Sequence, residues 1–206
     1  QWETDDQYLS GNVREKLAEV RLAAVEDPDR WQRNVDALRE VVPADLGPDS
    51  ITVRVGAVWI PPEDYTAFLR EISGDSYARV LHYGGGSWEV EGAKWGIAAR
   101  NEWGTDDLPA GPLLGKMLAQ QRIEVFVTDA DDRRILHPTR TEAAKERANL
   151  IQERFATWVW EEPERAARLA GEYNRLFNSI VLRDYTGEGA HLSLPGLSPM
   201  FTPRPH

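Results

Sequence analysis

The sequence predicts an α+β fold in which a central, mainly antiparallel sheet with hairpins is flanked by helical hairpins at both ends. Near both ends of the chain, apolar residues recur every three or four positions, which is typical of amphipathic helices. Between these helices, residues 51–55 and 123–127 alternate between apolar and polar, which is the period of a half-buried strand. The order strand, helix, hairpin, helix, hairpin in the middle of the chain favours the α+β class.

Residues 1–48 predict a helical hairpin arm. Asn12 precedes an apolar stripe that begins at Val13, so the loop ending at Asn12 is expected to cap the first helix. Asp27 and Pro28 have the order of a cap followed by a proline in the first turn of the second helix. Pro43 is expected to end that helix.

Residues 50–138 predict the α+β sheet domain. Its first strand covers 51–55, and a helix follows Pro62 and ends at Gly74. Three glycines at 84–86 lie between two β-like runs and predict a hairpin turn rather than a phosphate-binding loop, because no helix follows them. The remaining predicted elements are a short strand at 94–97, a loop at 101–112, a helix at 113–121, and a hairpin that joins 123–127 to 133–137.

Residues 139–186 predict a second helical hairpin. Thr139 and Glu142 have the spacing of a capping box at the start of its first helix. Pro163 suits the first position of its second helix, and the short connection predicts that the two helices pack antiparallel. Residues 187–206 are rich in glycine and proline and predict an extended linker.

The chain is acidic, with a formal net charge of −10. Residues 1–50 alone hold 12 acids and 6 bases, a net charge of −6. Such a chain repels DNA phosphates at long range, so a DNA contact would need a local basic patch. No apolar run reaches membrane-spanning length. The absence of cysteine excludes disulfides and thiolate metal sites and fits a cytoplasmic protein.

The densest basic run supplies the candidates for nucleic-acid contact, with a solvated hairpin edge and helix start as the simpler interpretation. These candidates are Arg133, Arg134, Arg140, Lys145 and Arg147. Four of the eight tryptophans lie in the sheet region, where they can pack in the core or stack on single-stranded bases. These are Trp59, Trp88, Trp95 and Trp103.

Catalytic and metal-binding motifs are weak. Asp129, Asp131 and Asp132 suggest a divalent cation, but a calcium loop also needs glycine and glutamate where this chain has Arg134 and Arg140. A hairpin turn is therefore favoured over a metal-dependent nuclease site. No two histidines have helical metal-ligand spacing, and the sequence predicts no metal site.

Five phrases in order resemble the region just upstream of the motor in large phage and mobile-element proteins. Those proteins join an adenine-specific DNA methyltransferase to a Swi/Snf-like superfamily 2 helicase, and some act in antirestriction or defence. The phrases cover residues 8–17, 56–64, 155–160, 173–178 and 191–199.

The resemblance implies an accessory role without catalysis. In such helicases, a phrase similar to the tail leads into the motor, so Phe201, Arg204 and His206 are expected at a motor junction. No Walker loop, Asp-Glu box or methyltransferase box occurs, so no cofactor is expected here, whereas the parent protein would use ATP and magnesium. The implied partners are the helicase and methyltransferase parts and DNA. The alternative is a protein-interaction module that uses the acidic N-terminal helices.

Overall fold

The computed structural model describes residues 3–183 and Gly196. The described residues separate into two compact units, one formed by the chain up to Leu46 and from Gly171 onwards, and one formed by Gly47–Ala170. Helices and short antiparallel ladders occur in both, which confirms the α+β class. The described strands form three separate two-stranded ladders. One boundary between the units falls after Ala170, within the segment 139–186.

The elements of the described chain are numbered in sequence order. The helices are α1 Asp5–Tyr8, α2 Val13–Glu26, α3 Pro28–Val41, α4 Pro62–Ser73, α5 Ala110–Leu118, α6 Pro138–Glu161 and α7 Pro163–Phe177. The strands are β1 Gly11–Asn12, β2 Arg79–His82, β3 Trp88–Glu91, β4 Phe126–Thr128, β5 Arg134–Leu136 and β6 Ile180–Val181. A 3-10 turn covers Pro48–Ser50, and a π-helix covers Ala98–Glu102.

The first unit contains the predicted N-terminal helical hairpin, α2 and α3. Both predicted caps are confirmed, because the side chains of Asn12 and Asp27 accept hydrogen bonds from Glu15 N and Arg30 N, each at 3.2 Å. These bonds satisfy amides that the first turn of a helix leaves without a partner. The apolar stripes of the two helices meet in one core, formed by Val13, Leu17, Val20, Val35 and Leu38.

The end of the described chain completes this first unit. β6 pairs antiparallel with β1, a ladder that the sequence analysis did not predict. The buried side chain of Asn174 accepts from Leu46 N at 2.8 Å and donates to Leu46 O at 2.9 Å. Arg14 donates to the carbonyls of Pro43 and Asn178, both at 2.7 Å. Residues far apart in sequence therefore form one packing unit through side-chain-to-backbone bonds.

The second unit is built around the aromatic contact between α4 and α6. Tyr65 stacks on Phe155 with ring centroids 4.9 Å apart, and Phe68 meets the same ring edge-on at 5.0 Å. All three side chains are fully buried. The predicted hairpin around 84–86 is confirmed as β2–β3, and Trp88 of β3 packs edge-on against Tyr65. The predicted hairpin near 129–132 is also confirmed, as β4–β5.

The prediction of a strand at 51–55 is wrong, because this segment pairs with no other strand in the described chain. The predicted alternation of buried and exposed residues is confirmed. Ile51, Val53 and Val55 are buried, as the alternation predicted, but no strand lies beside them in the described chain. Instead, the side chain of Gln152 accepts from Val55 N at 2.8 Å and donates to Val53 O at 3.2 Å. One glutamine of α6 thus replaces part of a neighbouring strand.

Three further predictions are corrected. Residues 94–97 form no strand and lead into the π-helix, which occupies part of the predicted loop. α5 starts at Ala110 rather than 113, because Pro109 precedes its first turn. α6 is capped by His137, whose Nδ1 accepts from Arg140 N at 3.3 Å, so the predicted capping box at Thr139 is wrong.

The start of α7 is tied to α6 and α4 inside the second unit. The Arg165 guanidinium lies 3.6 Å from the ring centre of Trp158 and donates to the Trp158 carbonyl at 2.6 Å. Arg168 forms an ion pair with buried Asp64 at 2.7 Å. The main helical neighbours of α6 are α4 and α5, whereas the sequence pattern had predicted α7 in that place.

Candidate interaction surface

The predicted basic patch is largely neutralised by nearby carboxylates. Arg133 pairs with Asp129 and Asp131, Arg140 pairs with Asp107 at 3.1 Å, and Lys145 pairs with Glu142 at 2.8 Å. The remaining two candidates behave differently. The guanidinium of Arg134 lies 4.2 Å from the ring centre of Phe126, and Arg147 is half-buried on α6. The five residues therefore share one region without forming a continuous cationic surface.

The aspartate cluster at the β4–β5 turn serves the turn itself. Asp129 Oδ1 accepts from the amides of Asp131 and Arg133, both at 2.9 Å, and Asp129 Oδ2 lies 3.4 Å from Arg133 Nε. This geometry is a side-chain-stabilised turn. Within the described ranges, no three His, Cys, Asp or Glu residues converge as a metal site would require.

The most distinctive surface feature of the second unit is the Trp95 loop, defined here as residues 93–97. Of the four tryptophans considered for stacking, Trp59, Trp88 and Trp103 are partly buried, while Trp95 is 75% exposed. Ile97 in the same loop is 74% exposed. Tyr77, on the segment bonded to this loop through Asp75, is 87% exposed. Isolated exposed apolar residues are common, but three such side chains on two connected loops are a candidate contact surface.

Asp75 holds the base of the Trp95 loop. Its carboxylate accepts from Ala93 N at 2.8 Å and from Tyr77 N at 3.0 Å, so one side chain fixes both segments that carry the exposed aromatics. These backbone hydrogen bonds, first from Ala93 and then from Tyr77, lower the pKa of Asp75 below its ordinary value. The ionised carboxylate is therefore the form that holds the loop.

Ala93 adopts an unfavourable backbone conformation at the start of the loop. Its φ angle is +49°, a region that residues with a Cβ rarely adopt, and its side chain is completely buried. Gly111 N donates to Ala93 O at 3.0 Å, and a Cβ at Gly111 would overlap Gly92 O. Such a conformation persists only where surrounding contacts enforce it, and it is enriched at functional sites. The loop is therefore held in place from two sides.

The π-helix fixes the other end of the loop and positions a cation on the tryptophan. Arg100 N donates to Gly96 O and Arg100 Nε donates to Lys94 O, both at 3.2 Å. The Arg100 guanidinium lies 4.5 Å from the ring centre of Trp95 and 3.5 Å from Asp106. π-helical turns are rare and are frequent at functional sites. The Arg100 guanidinium therefore stacks on the exposed Trp95 ring, and Asp106 balances its charge.

Sequence reasoning included Trp95 only as one of four tryptophans and missed its display loop. The only local signal is the Gly-Ala-Lys-Trp-Gly run at 92–96, and it overlaps the strand predicted at 94–97. The exposed Trp95 and Tyr77 and the neighbouring Arg100 belong to the residue types that are enriched at protein interfaces and among their energetically dominant residues. The predicted motor-junction residues Phe201, Arg204 and His206 lie outside the described residues.

These features define an α+β domain that presents an exposed aromatic loop on a rigid base. The chain belongs to the DUF8437 family, a domain of unknown function whose model matches residues 54–179. That range contains the Trp95 loop, both hairpins of the second unit and α6. Comparisons with curated proteins and with solved structures give no match. Among the described residues, no helix combines the length and apolarity needed to cross a membrane.

Proposed function

We propose that this chain is a noncatalytic accessory module of a larger DNA-processing protein, in which it connects enzymatic parts by protein–protein contact. The resemblance to the region upstream of helicase motors supports the proposal that the chain is part of such a DNA-processing protein. The single observation that carries the contact itself is the Trp95 loop. It presents a largely exposed tryptophan on a backbone that Asp75, Ala93 and the π-helix hold in one conformation.

A rigid aromatic side chain suits a docking role for an energetic reason. A tryptophan side chain buries about 150–250 Å² when covered, and at about 25 cal/mol per Å² the exposed part of Trp95 can contribute on the order of 3 kcal/mol to binding. Because the loop is already fixed, little conformational entropy remains to be lost when a partner covers it. A flexible loop would lose much of this gain.

Co-purification tests the connecting role. The chain is expressed together with the polypeptide segments that flank residues 1–206 in the native gene, each supplied as a separate protein. We expect at least one enzymatic segment to co-purify with the wild-type chain, and we expect the chain alone to show no ATPase, adenine methylation or DNA cleavage. Native flanking segments without helicase or methyltransferase motifs, or a chain that catalyses one of these reactions unaided, would refute the proposal.

Guidance of DNA is a second candidate function within the same module. Arg134 favours it, because its guanidinium lies on Phe126 and has no carboxylate partner in the described part of the chain. Arginine–aromatic surfaces can contact single-stranded bases and phosphates. The neutralisation of Arg133, Arg140 and Lys145 weakens this candidate relative to protein contact.

A further inference from the structure

We infer that a cleft in the first unit binds a cationic, amphipathic polypeptide segment of a partner protein. The cleft lies between α1 and the α2–α3 hairpin and has a volume of about 840 Å³. It concerns a different unit from the Trp95 loop and does not depend on the function proposed for that loop. Its walls combine apolar and aromatic side chains with three acidic and two basic ones.

The apolar part of the cleft comes from the inner edges of two helices and from one aromatic of α1. Val20 and Ala23 line it from α2, Trp31 lines it from α3, and Tyr8 lines it from α1. Trp31 and Tyr8 also pack on the core of the hairpin, so their positions are fixed by the fold. A concave surface with aromatic walls accommodates apolar side chains of a bound segment.

The lysine in the cleft, Lys16, already forms hydrogen bonds within the chain. Lys16 Nζ donates to the carbonyls of Gln7, Tyr8 and Ser10 at 2.9–3.1 Å. The same ammonium lies 3.6 Å from Glu3. Lys16 thus satisfies the carbonyl end of the short helix α1, and its charge is balanced locally. It is not available to attract an anionic ligand.

The other two acidic side chains of the cleft form no ion pair in the described part of the chain, while Arg30 adds one positive charge to the same lining. These two are Asp5 and Glu19, and Arg30 is directed onto the Trp31 ring with its guanidinium 4.9 Å from the ring centre. The surrounding segment, residues 1–50, has a net charge of −6. This charge attracts a cationic segment and repels acidic peptides and nucleic acid. The occupant that fits is a segment with lysine or arginine on one face and apolar side chains on the other.

Two synthetic helical peptides test this inference on the whole 206-residue chain. The first peptide carries lysine along one face of the helix and leucine along the opposite face. The second peptide has glutamate in place of each lysine. We expect calorimetry to show binding of the lysine peptide alone. Amide resonances of Tyr8, Val20 and Trp31 should shift on titration. Failure of the lysine peptide to bind, equal binding of both peptides, or shifts confined to residues outside the cleft would overturn the inference.

A pair of charge-matched variants makes the test specific. The double variant Asp5→Asn/Glu19→Gln removes the two carboxylates of the cleft, and we expect it to weaken binding of the lysine peptide about fivefold. The control variant Glu26→Gln/Glu40→Gln removes the same charge from exposed positions of α2 and α3 that do not line the cleft. Equal weakening in both variants would mean that general acidity, rather than the cleft, attracts the peptide.

Discussion

Asp75 shows how one half-buried carboxylate can organise two neighbouring segments. It accepts amide hydrogen bonds from Ala93 and Tyr77, and these bonds favour its ionised form. A carboxyl group whose folded-state pKa is lowered stabilises the fold above its unfolded pKa. That contribution is lost as the pH falls through the folded-state pKa. The base of the Trp95 loop should therefore loosen only in acid, below the ordinary aspartate pKa of 3.8.

The variant Asp75→Asn tests this role of the carboxylate. Because the neutral amide is a weaker acceptor, we expect hydrogen exchange at Ala93 N to become faster by about tenfold near neutral pH. The loss of Ala93 protection below about pH 3.8, expected in the wild-type chain, should be absent in the variant. Asp106→Asn serves as the control, since Asp106 is highly exposed and forms an ion pair with Arg100, whereas Asp75 binds the Ala93 amide. Unchanged exchange at Ala93 in Asp75→Asn would contradict the assignment.

At the scale of elements, α6 organises the second unit through both its apolar stripe and one polar side chain. Gln152 hydrogen-bonds the backbone of Val53 and Val55 and so takes the place of a strand partner. Without these bonds, the amide and carbonyl would be partly buried and unsatisfied, which is costly. The extended segment at 51–55 is thereby held against the core without belonging to a sheet.

Removal of this side chain should destabilise the chain measurably. We expect Gln152→Ala to lower the free energy of unfolding by about 2 kcal/mol, because two backbone groups lose their partner. Asn149→Ala, an exposed change on the same helix, should cost less than about 0.5 kcal/mol. Urea denaturation followed by circular dichroism gives both values. Equal effects of the two variants would show that Gln152 has no special structural role.

The ion pair between α4 and α7 provides a second test at this scale. Asp64 is buried, and its Oδ2 has no hydrogen-bond partner, so Arg168 supplies the main compensation for its charge. We expect Arg168→Ala to cost about 1–2 kcal/mol, less than a fully buried pair because Arg168 is half exposed. The double variant Asp64→Ala/Arg168→Ala should recover part of this loss in urea denaturation. A double variant that is less stable than Arg168→Ala would contradict this account.

The sequence predicted helices and hairpins well, because caps and hydrophobic periodicity are local signals. Asn12, Asp27 and Gly74 fulfil their predicted roles at helix ends. Long-range pairing could not be predicted in this way. β1 pairs with β6 although most of the sequence lies between them. Gln152 takes the place of a strand partner for residues 51–55, and no local sequence pattern predicts this contact.

The candidate surface was harder to predict than the fold. Alanine disfavours the backbone angle that Ala93 adopts, so the sequence argued against the turn that displays Trp95. The predicted basic residues lie close together in sequence, beside or on β5 and on α6. Their ion pairs with Asp107, Asp129 and Glu142 depend on tertiary contacts and on turn geometry. The number of basic residues in this part of the sequence is therefore larger than the unpaired positive charge that the folded surface presents.

For the molecule as a whole, the net charge of −10 governs long-range encounters. Such a chain approaches cationic proteins readily and DNA poorly. We therefore expect fluorescence anisotropy to detect no binding of duplex, forked or single-stranded DNA at physiological salt. Weak binding that appears only at low salt should be reduced by Arg134→Ala and strengthened by Glu142→Gln, which removes the carboxylate paired with Lys145. Salt-resistant binding to any of these DNAs would favour DNA guidance over protein contact.

Each unit carries one proposed docking surface: the cleft beside α1 in one and the Trp95 loop in the other. A module that joins two partners needs at least two such surfaces, and their chemistry differs. The cleft, with three acidic and two basic side chains, is proposed to bind a cationic segment, whereas the Trp95 loop is aromatic and charge-balanced. We therefore expect the two units to bind different partners.

Calorimetric titration of the co-purifying enzymatic segment into Trp95→Ala tests the central claim most directly. Tyr83→Ala is the matched control, since Tyr83 is a 65% exposed aromatic on the connection after β2. We predict that Trp95→Ala weakens binding at least about tenfold while its free energy of unfolding changes by less than about 1 kcal/mol. Tyr83→Ala should bind as the wild type does. Wild-type affinity in Trp95→Ala would contradict the claim that this loop is the docking surface.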